Sequence, residues 1–110
     1  MSRASSAASA SAPVFAALGN DVRLELLSRL GDGSDRSITE LSDGLALTRQ
    51  AVTKHLGVLE QAGIVVTERV GRERRFRIRP EPVSHARDYL SRISAQWDDA
   101  IDRLRAAVES

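Results

Sequence analysis

A change of hydrophobic period at Gly63 constrains this 110-residue chain more than any other feature. Ahead of it, Val52, Leu56 and Leu59, with Ala51 beside them, recur at helical spacing behind Thr48, a residue suited to cap a helix. Behind it, Ile64-Val65-Val66-Thr67 is a β-branched run. Arg74 to Arg79 then alternates, with Phe76 and Ile78 on one face and Arg75, Arg77 and Arg79 on the other. Gly71-Arg72 lies between the two runs and puts Gly at the first central position, as a type II′ hairpin turn requires. Pro80 and Pro82 close the second run. A helix that ends at a glycine must therefore pass directly into a β-hairpin.

Upstream, caps mark the helices. Asn20 stands in an N-cap position, and Asp21 in the first turn suits the helix dipole. Val22, Leu26, Leu27 and Leu30 follow at helical spacing until Gly31 stops the helix. Gly31 to Arg36 reads as a turn-rich connection. Ser37-Ile38-Thr39-Glu40 has the form of a capping box, and Ile38, Leu41 and Leu45 mark one face of a short helix ending near Gly44–Leu45. Before these elements, Val14, Phe15, Ala17 and Leu18 predict a short helix or helical turn. Residues 1–13, almost all Ser and Ala before Pro13, predict a disordered tail. One domain over residues 14–108 is expected, close to the ~100–150 residues typical of a domain.

The net charge of +1 hides a segregation. Residues 49–79 hold eight of the sixteen basic residues (Arg49, Lys54, Arg69, Arg72, Arg74, Arg75, Arg77, Arg79) against three acids (Glu60, Glu68, Glu73). That segment is +5, which leaves −4 for the rest. A basic block in a nearly neutral chain points to a localised anionic partner. Fifteen of the sixteen cations are Arg, whose planar fork suits phosphate and base edges. A GC-rich genome would give the same preference, so it carries little weight.

Two helices joined by a tight turn, the second bearing Arg and Lys near its start, form the helix-turn-helix pattern. A basic hairpin directly behind it makes the winged variant. The expected fold class is therefore mainly α with a small β-hairpin. The major groove of DNA admits one α-helix, whose first two turns reach base edges; here they carry Arg49, Gln50, Thr53 and Lys54. Arg49 suits guanine and Gln50 adenine, while Thr48, Thr53 and Lys54 suit phosphates or a thymine methyl. An ordinary solvated helix face would look alike in isolation, but the adjacent Arg-rich hairpin favours double-stranded DNA. Arg69, Arg72, Arg74 and Arg75 extend the surface onto the hairpin. Phosphate or minor-groove contact is favoured there over an edge strand merely guarded against aggregation. His55, between Lys54 and the inward-facing Leu56, sits at a boundary, so a structural role is as open to it as a DNA contact.

The last segment is the most regular. Val83, Leu90, Trp97 and Leu104 are seven apart, as are Ala86, Ile93, Ala100 and Ala107, and Ile101 and Val108 widen the stripe. A helix of ~24 residues is a rod of ~36 Å, longer than a core of this size can cover. Leu90, Ile93, Trp97, Ile101 and Leu104 are therefore expected to meet a second subunit. For Trp97, packing outweighs ligand stacking.

These segments also resemble a known family. Leu18-Gly19-Asn20-Asp21-Val22-Arg23-Leu24-Glu25-Leu26-Leu27 is similar to the helix that leads into the helix-turn-helix of ArsR-type winged-helix repressors. LTRQAVTKHLGVLEQAGIV, residues 47–65, resembles that family's recognition helix and exit, and Gly71 to Phe76 resembles its wing. The likeness spans roughly residues 14–108. It implies a homodimeric DNA-binding regulator whose first and last helices form the interface, which adds Val14, Phe15 and Leu18 to the expected contacts. Metal-sensing members carry a Cys-x-Cys motif where this chain has Glu40 to Leu45. Others bind zinc through an Asp-x-His…His-x-x-Glu set on the last helix; here Gln96 and Asp99 stand where the second His and the Glu would fall. His85 with Asp88, and Asp98, Asp99 and Asp102, read as solvated helix charges that pair with Arg92, Arg103 and Arg105 rather than as ligands. The chain looks like the non-metal branch, with no metal site and no cofactor expected.

Other classes find less support. There is no cysteine, which excludes disulfides, thiolate metal sites and a Cys nucleophile. No His–carboxylate set or phosphate-cradling Gly loop supports an enzyme. No apolar run approaches the ~20 residues of a membrane span, and the opening lacks the Leu-rich block of a secretory signal, so a cytoplasmic protein without membrane contact is expected. The competing reading is a winged-helix module for protein contact, separable by salt-dependent binding to random duplex DNA. Neither operator nor effector is legible.

Overall fold

The computed structural model describes the backbone of residues 3–109 and the side chains of residues 8–109. Five helices and three short strands follow the order α1 (Arg3–Leu18), α2 (Asp21–Arg29), β1 (Arg36–Ser37), α3 (Ile38–Ser42), α4 (Arg49–Gln61), β2 (Val65–Val70), β3 (Glu73–Ile78) and α5 (Pro80–Glu109). The fold is the expected helical one with a small antiparallel wing.

The caps behave as their residue types dictate. The Asn20 side chain accepts from the Arg23 backbone N–H at 3.1 Å. Both halves of the Ser37–Glu40 capping box are present. Thr48 Oγ1 accepts from Ala51 N–H at 3.1 Å and starts α4. The other end of α4 is a Schellman closure: Gly63 takes a φ of +77°, its N–H reaches the Glu60 carbonyl, and the Ile64 N–H reaches that of Leu59. This closure turns the chain from recognition helix into wing. Between β2 and β3, Gly71 alone has positive φ (+64°) while Val70 pairs with Glu73, as a two-residue type II′ loop demands.

The core gathers Leu26 of α2 and Leu30 at its C-cap, Leu41 of α3, Val52, Leu56 and Leu59 of α4, Ile64 just before β2, Val65 of β2, and Phe76 of β3. Val22, Leu27, Ile38 and Leu45 pack against it as partly buried neighbours. Phe76 pairs with Thr67 of β2 on one side and Arg36 of β1 on the other, so its ring closes the sheet over the helices.

Three expectations are corrected. The tail expected over residues 1–13 is helical from Arg3, in continuity with the apolar residues after Pro13; Met1 and Ser2 lie outside the described residues. Alanine is the best helix former, and α1 lies along α5, burying Ser11, Val14 and Ala17. Pro13 gives up one backbone hydrogen bond and stays within the helix. Second, Arg36–Ser37 adds a third strand, making the sheet order β1-β3-β2. Third, α5 begins at Pro80: its prolines, expected only to end the strand, occupy the first turn, where a missing N–H costs nothing. The helix is thus ~45 Å long at 1.5 Å per residue, and the molecule measures 67 × 32 × 22 Å.

Candidate nucleic-acid interface

The inward face of α4 is taken by Val52, Leu56 and Leu59, which turns Gln50, Lys54 and Gly57 outward on successive turns. Gly57 carries a signal that the sequence reading missed. A glycine in mid-helix costs roughly 0.5–1 kcal/mol relative to alanine. Here a Cβ would meet no atom within 4 Å, so nothing inside the protomer calls for its absence. The bare turn suits close approach by an external backbone.

The other expected contact residues divide into exposed and engaged groups. Gln50 and Lys54 are exposed. Thr48 is exposed too, with its oxygen used in the cap. Thr53 is half-buried and donates its hydroxyl to the Arg49 carbonyl at 2.8 Å, so that proton is not offered to a phosphate. Arg49 leans away from Gln50 towards α3, where its Nη2 donates to Thr39 Oγ1 at 3.0 Å.

His55 is turned inward. Its Nδ1 stands 3.2 Å from Nη1 of Arg23, whose Nε and Nη2 donate to the carbonyls of Ala17 and Ala16 at the end of α1. A guanidinium only donates, so Nδ1 accepts and the ring hydrogen resides on Nε2. Arg23 thereby ties α1, α2 and α4 together. Of the two roles open to His55, this contact is the structural one.

Arg75, expected among the DNA contacts, is already engaged within the protomer. Antiparallel pairing sets it opposite Ser37 of β1 and beside α3. Its guanidinium lies 2.9 Å from Asp35, 3.3 Å from Glu40 and 2.9 Å from Glu73. Hydrogen bonds to Asp35 and then Glu73 raise its pKa above the ordinary arginine value. Glu40 is held below the usual carboxylate range, first by the Ser37 backbone N–H, then by the Ser37 side chain, with Arg75 and Arg36 adding charge. Arg75 therefore fastens the wing to the helix-turn-helix. Arg77 lies 3.6 Å from Glu68, and Arg79 makes only a long approach, 3.8 Å, to Glu81.

The basic block thus contracts to a few residues. Lys54, Arg69 and Arg72 are exposed and have no ion-pair partner among the described residues. Arg74 sits over the Phe76 ring at 5.4 Å and has only a long approach, 3.8 Å, to Glu60. Arg49, Arg69, Arg72 and Arg74 all line one groove of about 260 Å³ between α3, the start of α4 and the wing.

The residues expected at a subunit interface also separate. Val14 is only 4% exposed and belongs to the protomer's own core. Phe15 and Leu18 are partly buried, and the Phe15 ring lies 6.3 Å from that of Tyr89 on α5. Ile93 is half-buried. Leu90, Trp97, Ile101 and Leu104 are exposed at 50%, 65%, 46% and 67%, and Val108 continues the stripe. Among the described residues no group of three or more His, Asp or Glu side chains could hold a metal, and no helix is long and apolar enough to cross a membrane.

Known proteins resemble this chain in sequence and in fold. A family described as a helix-turn-helix domain matches residues 18–68. The chain is 36% identical over 78 residues to the uncharacterized HTH-type transcriptional regulator YuzN of Bacillus subtilis, spanning 66% of this chain and 85% of that protein. It is 33% identical over 92 residues to the HTH-type transcriptional repressor SmtB of Mycobacterium tuberculosis, spanning 84% of this chain and 66% of that protein. Among solved structures, the ArsR-like transcriptional regulator from Rhodococcus sp. RHA1 matches with a TM-score of 0.74 and 37% identity, over 89% of this chain and 92% of that one.

Proposed function

Because the chain belongs to the ArsR-type winged helix-turn-helix transcription regulators, we propose that it works as a homodimeric repressor on an imperfect DNA palindrome. Membership makes it a DNA-binding regulator of transcription; assembly, sign of regulation and operator form are the added reading. The observation that carries this reading is the set of cations gathered on one surface with no carboxylate closer than 3.8 Å among the described residues: Lys54 and Arg49 on α4, and Arg69, Arg72 and Arg74 on the wing. Arg75 is held by three carboxylates and Arg77 lies 3.6 Å from Glu68, which leaves the groove and recognition-helix cations as the ones aimed at a partner. Gln50 and Lys54 lie where a helix in the major groove presents side chains to base edges.

Dimerisation is supported by the stripe on α5. Leu90, Trp97, Ile101, Leu104 and Val108 form an apolar run on a helix whose only buried residue is Ala86. A continuous exposed apolar patch of this kind marks an interaction site. A two-fold dimer would set its recognition helices one DNA turn apart, ~34 Å, with half-site centres ~10 bp apart. The repressor sign rests on the relative named a transcriptional repressor. Binding-site selection from fragmented genomic DNA of the source organism, followed by footprinting, tests the proposal. A protected two-fold site overlapping a promoter is expected. Enrichment of no fragment above random DNA would instead favour a protein-contact module.

A further inference from the structure

We propose that the groove between Thr39, Arg49 and the wing arginines Arg69, Arg72 and Arg74 is a seat for one DNA backbone phosphate, and that Arg49 is its clamp and not a reader of bases. The inference rests on the DNA-binding reading and assigns this groove a role within it.

Charge is the first argument. Four arginines line a groove of about 260 Å³, and Glu73 is the one acidic residue among its lining. Glu73 is already engaged, with its Oε2 2.9 Å from Arg75 Nη1. Cations gathered along one groove raise its positive potential, which an entering anion relieves. Each of the four is at least partly exposed, so water supports them in the free protein. A phosphodiester brings a single negative charge and oxygens that arginine forks can grip in pairs.

Geometry is the second argument. Arg49 springs from the first turn of α4, where a base reader is expected, yet its guanidinium is tethered sideways to Thr39 on α3. The Thr39 hydroxyl accepts that bond with its oxygen and keeps its own proton to donate to a phosphate oxygen. Thr39 therefore holds the arginine in place and adds a donor to the same seat. Gln50 and Lys54, one turn apart on the outward face, are left to face the bases. The wing closes the other side, so a DNA strand following the groove would meet α3 and the hairpin together.

The test uses the full chain and a randomised duplex pool, with salt titrations on a single random duplex. Arg49→Ala should weaken binding to all duplexes alike, by about 10- to 100-fold, and leave the preferred bases unchanged. It should also flatten the salt dependence by about 0.9 for every phosphate that each protomer no longer neutralises. Arg49→Gln, which keeps the stem, should do the same, and thermal melts of both variants check that folding is intact. Thr39→Val should cost less, about 3- to 10-fold, with the salt slope near wild type, because the charge remains and only its tether is gone. Gln50→Ala should change the preferred bases. Altered base preference in Arg49→Ala with an unchanged salt slope would overturn the proposal. A second arm titrates inorganic phosphate and pyrophosphate. Submillimolar binding that depends on Arg49, with DNA affinity unaffected by its removal, would show a free-anion site and overturn the DNA assignment. Failure of the wild-type protein to bind any duplex would strike at the DNA reading itself, separately from the role of Arg49.

Discussion

Replacing Trp97 by alanine should break the dimer and spare the protomer. Trp97 is 65% exposed and lies outside the buried core cluster, so the subunit does not depend on it for folding. A tryptophan offers up to ~250 Å² of surface, of which about 160 Å² here faces water, worth ~4 kcal/mol at 25 cal/mol per Å² if fully covered. Partial covering and the methyl left by alanine reduce this to ~2 kcal/mol for each copy. Two-fold symmetry counts the loss twice, giving ~4 kcal/mol, or about a thousandfold in the dimer Kd. Sedimentation velocity from nanomolar to micromolar concentration measures that constant, and circular dichroism reports the helix content of the resulting monomer. A shift of less than about tenfold would refute the reasoning, as would a wild-type protein that stays monomeric throughout.

Further expectations follow from individual side chains. Gly57→Ala should raise stability by ~0.5–1 kcal/mol, a few degrees in Tm, while lowering DNA affinity; unchanged affinity would dismiss the close approach proposed there. His55→Asn, which keeps an acceptor for Arg23, should bind DNA better than His55→Phe, and equal behaviour of the two in DNA titrations would deny that this hydrogen bond orients α4. Glu40 and Asp32 are held below their ordinary values, Asp32 mainly by hydrogen bonds from Ser34. Their stabilisation is fully present above the unfolded carboxylate range and fades as pH falls from about 4.5 through the lowered folded values. Chemical denaturation across pH 2–7 should show this acid limb, shallower in Glu40→Gln.

The legible parts of the fold were those with a local cause. Asn20, the Ser37–Glu40 box, Thr48 and Gly63 each act within a turn of their own position, so their residue types placed α2, α3 and α4. The type II′ glycine and the alternation around Phe76 did the same for the wing. What escaped the sequence depends on distant partners. Arg36–Ser37 is too short to show alternation and becomes a strand only because β3 lies alongside. The Ser/Ala run looks featureless until α5 gives it a surface to pack on, which also draws Val14 into the core. Alternation puts Arg75 on the same face as Arg77, and only pairing with Ser37 brings it, unlike Arg77, to Asp35 and Glu40. His55 was undecidable because its partner, Arg23, is thirty-two positions away. Gly57 could have been found from sequence alone, since a glycine in the middle of a strongly patterned helix asks for a reason.

The most direct test of the account is the salt dependence of binding to a random DNA duplex. Arg49, Arg69, Arg72 and Arg74 are the cations assigned to phosphates, so a dimer neutralises between about two and eight of them and log K should fall linearly with log salt, with a slope between about −2 and −7. Arg75→Gln should leave that slope nearly unchanged, whereas Arg72→Gln should flatten it. Binding that ignores salt, or a slope that responds to Arg75 and not to Arg72, would contradict the assignment of this surface to DNA.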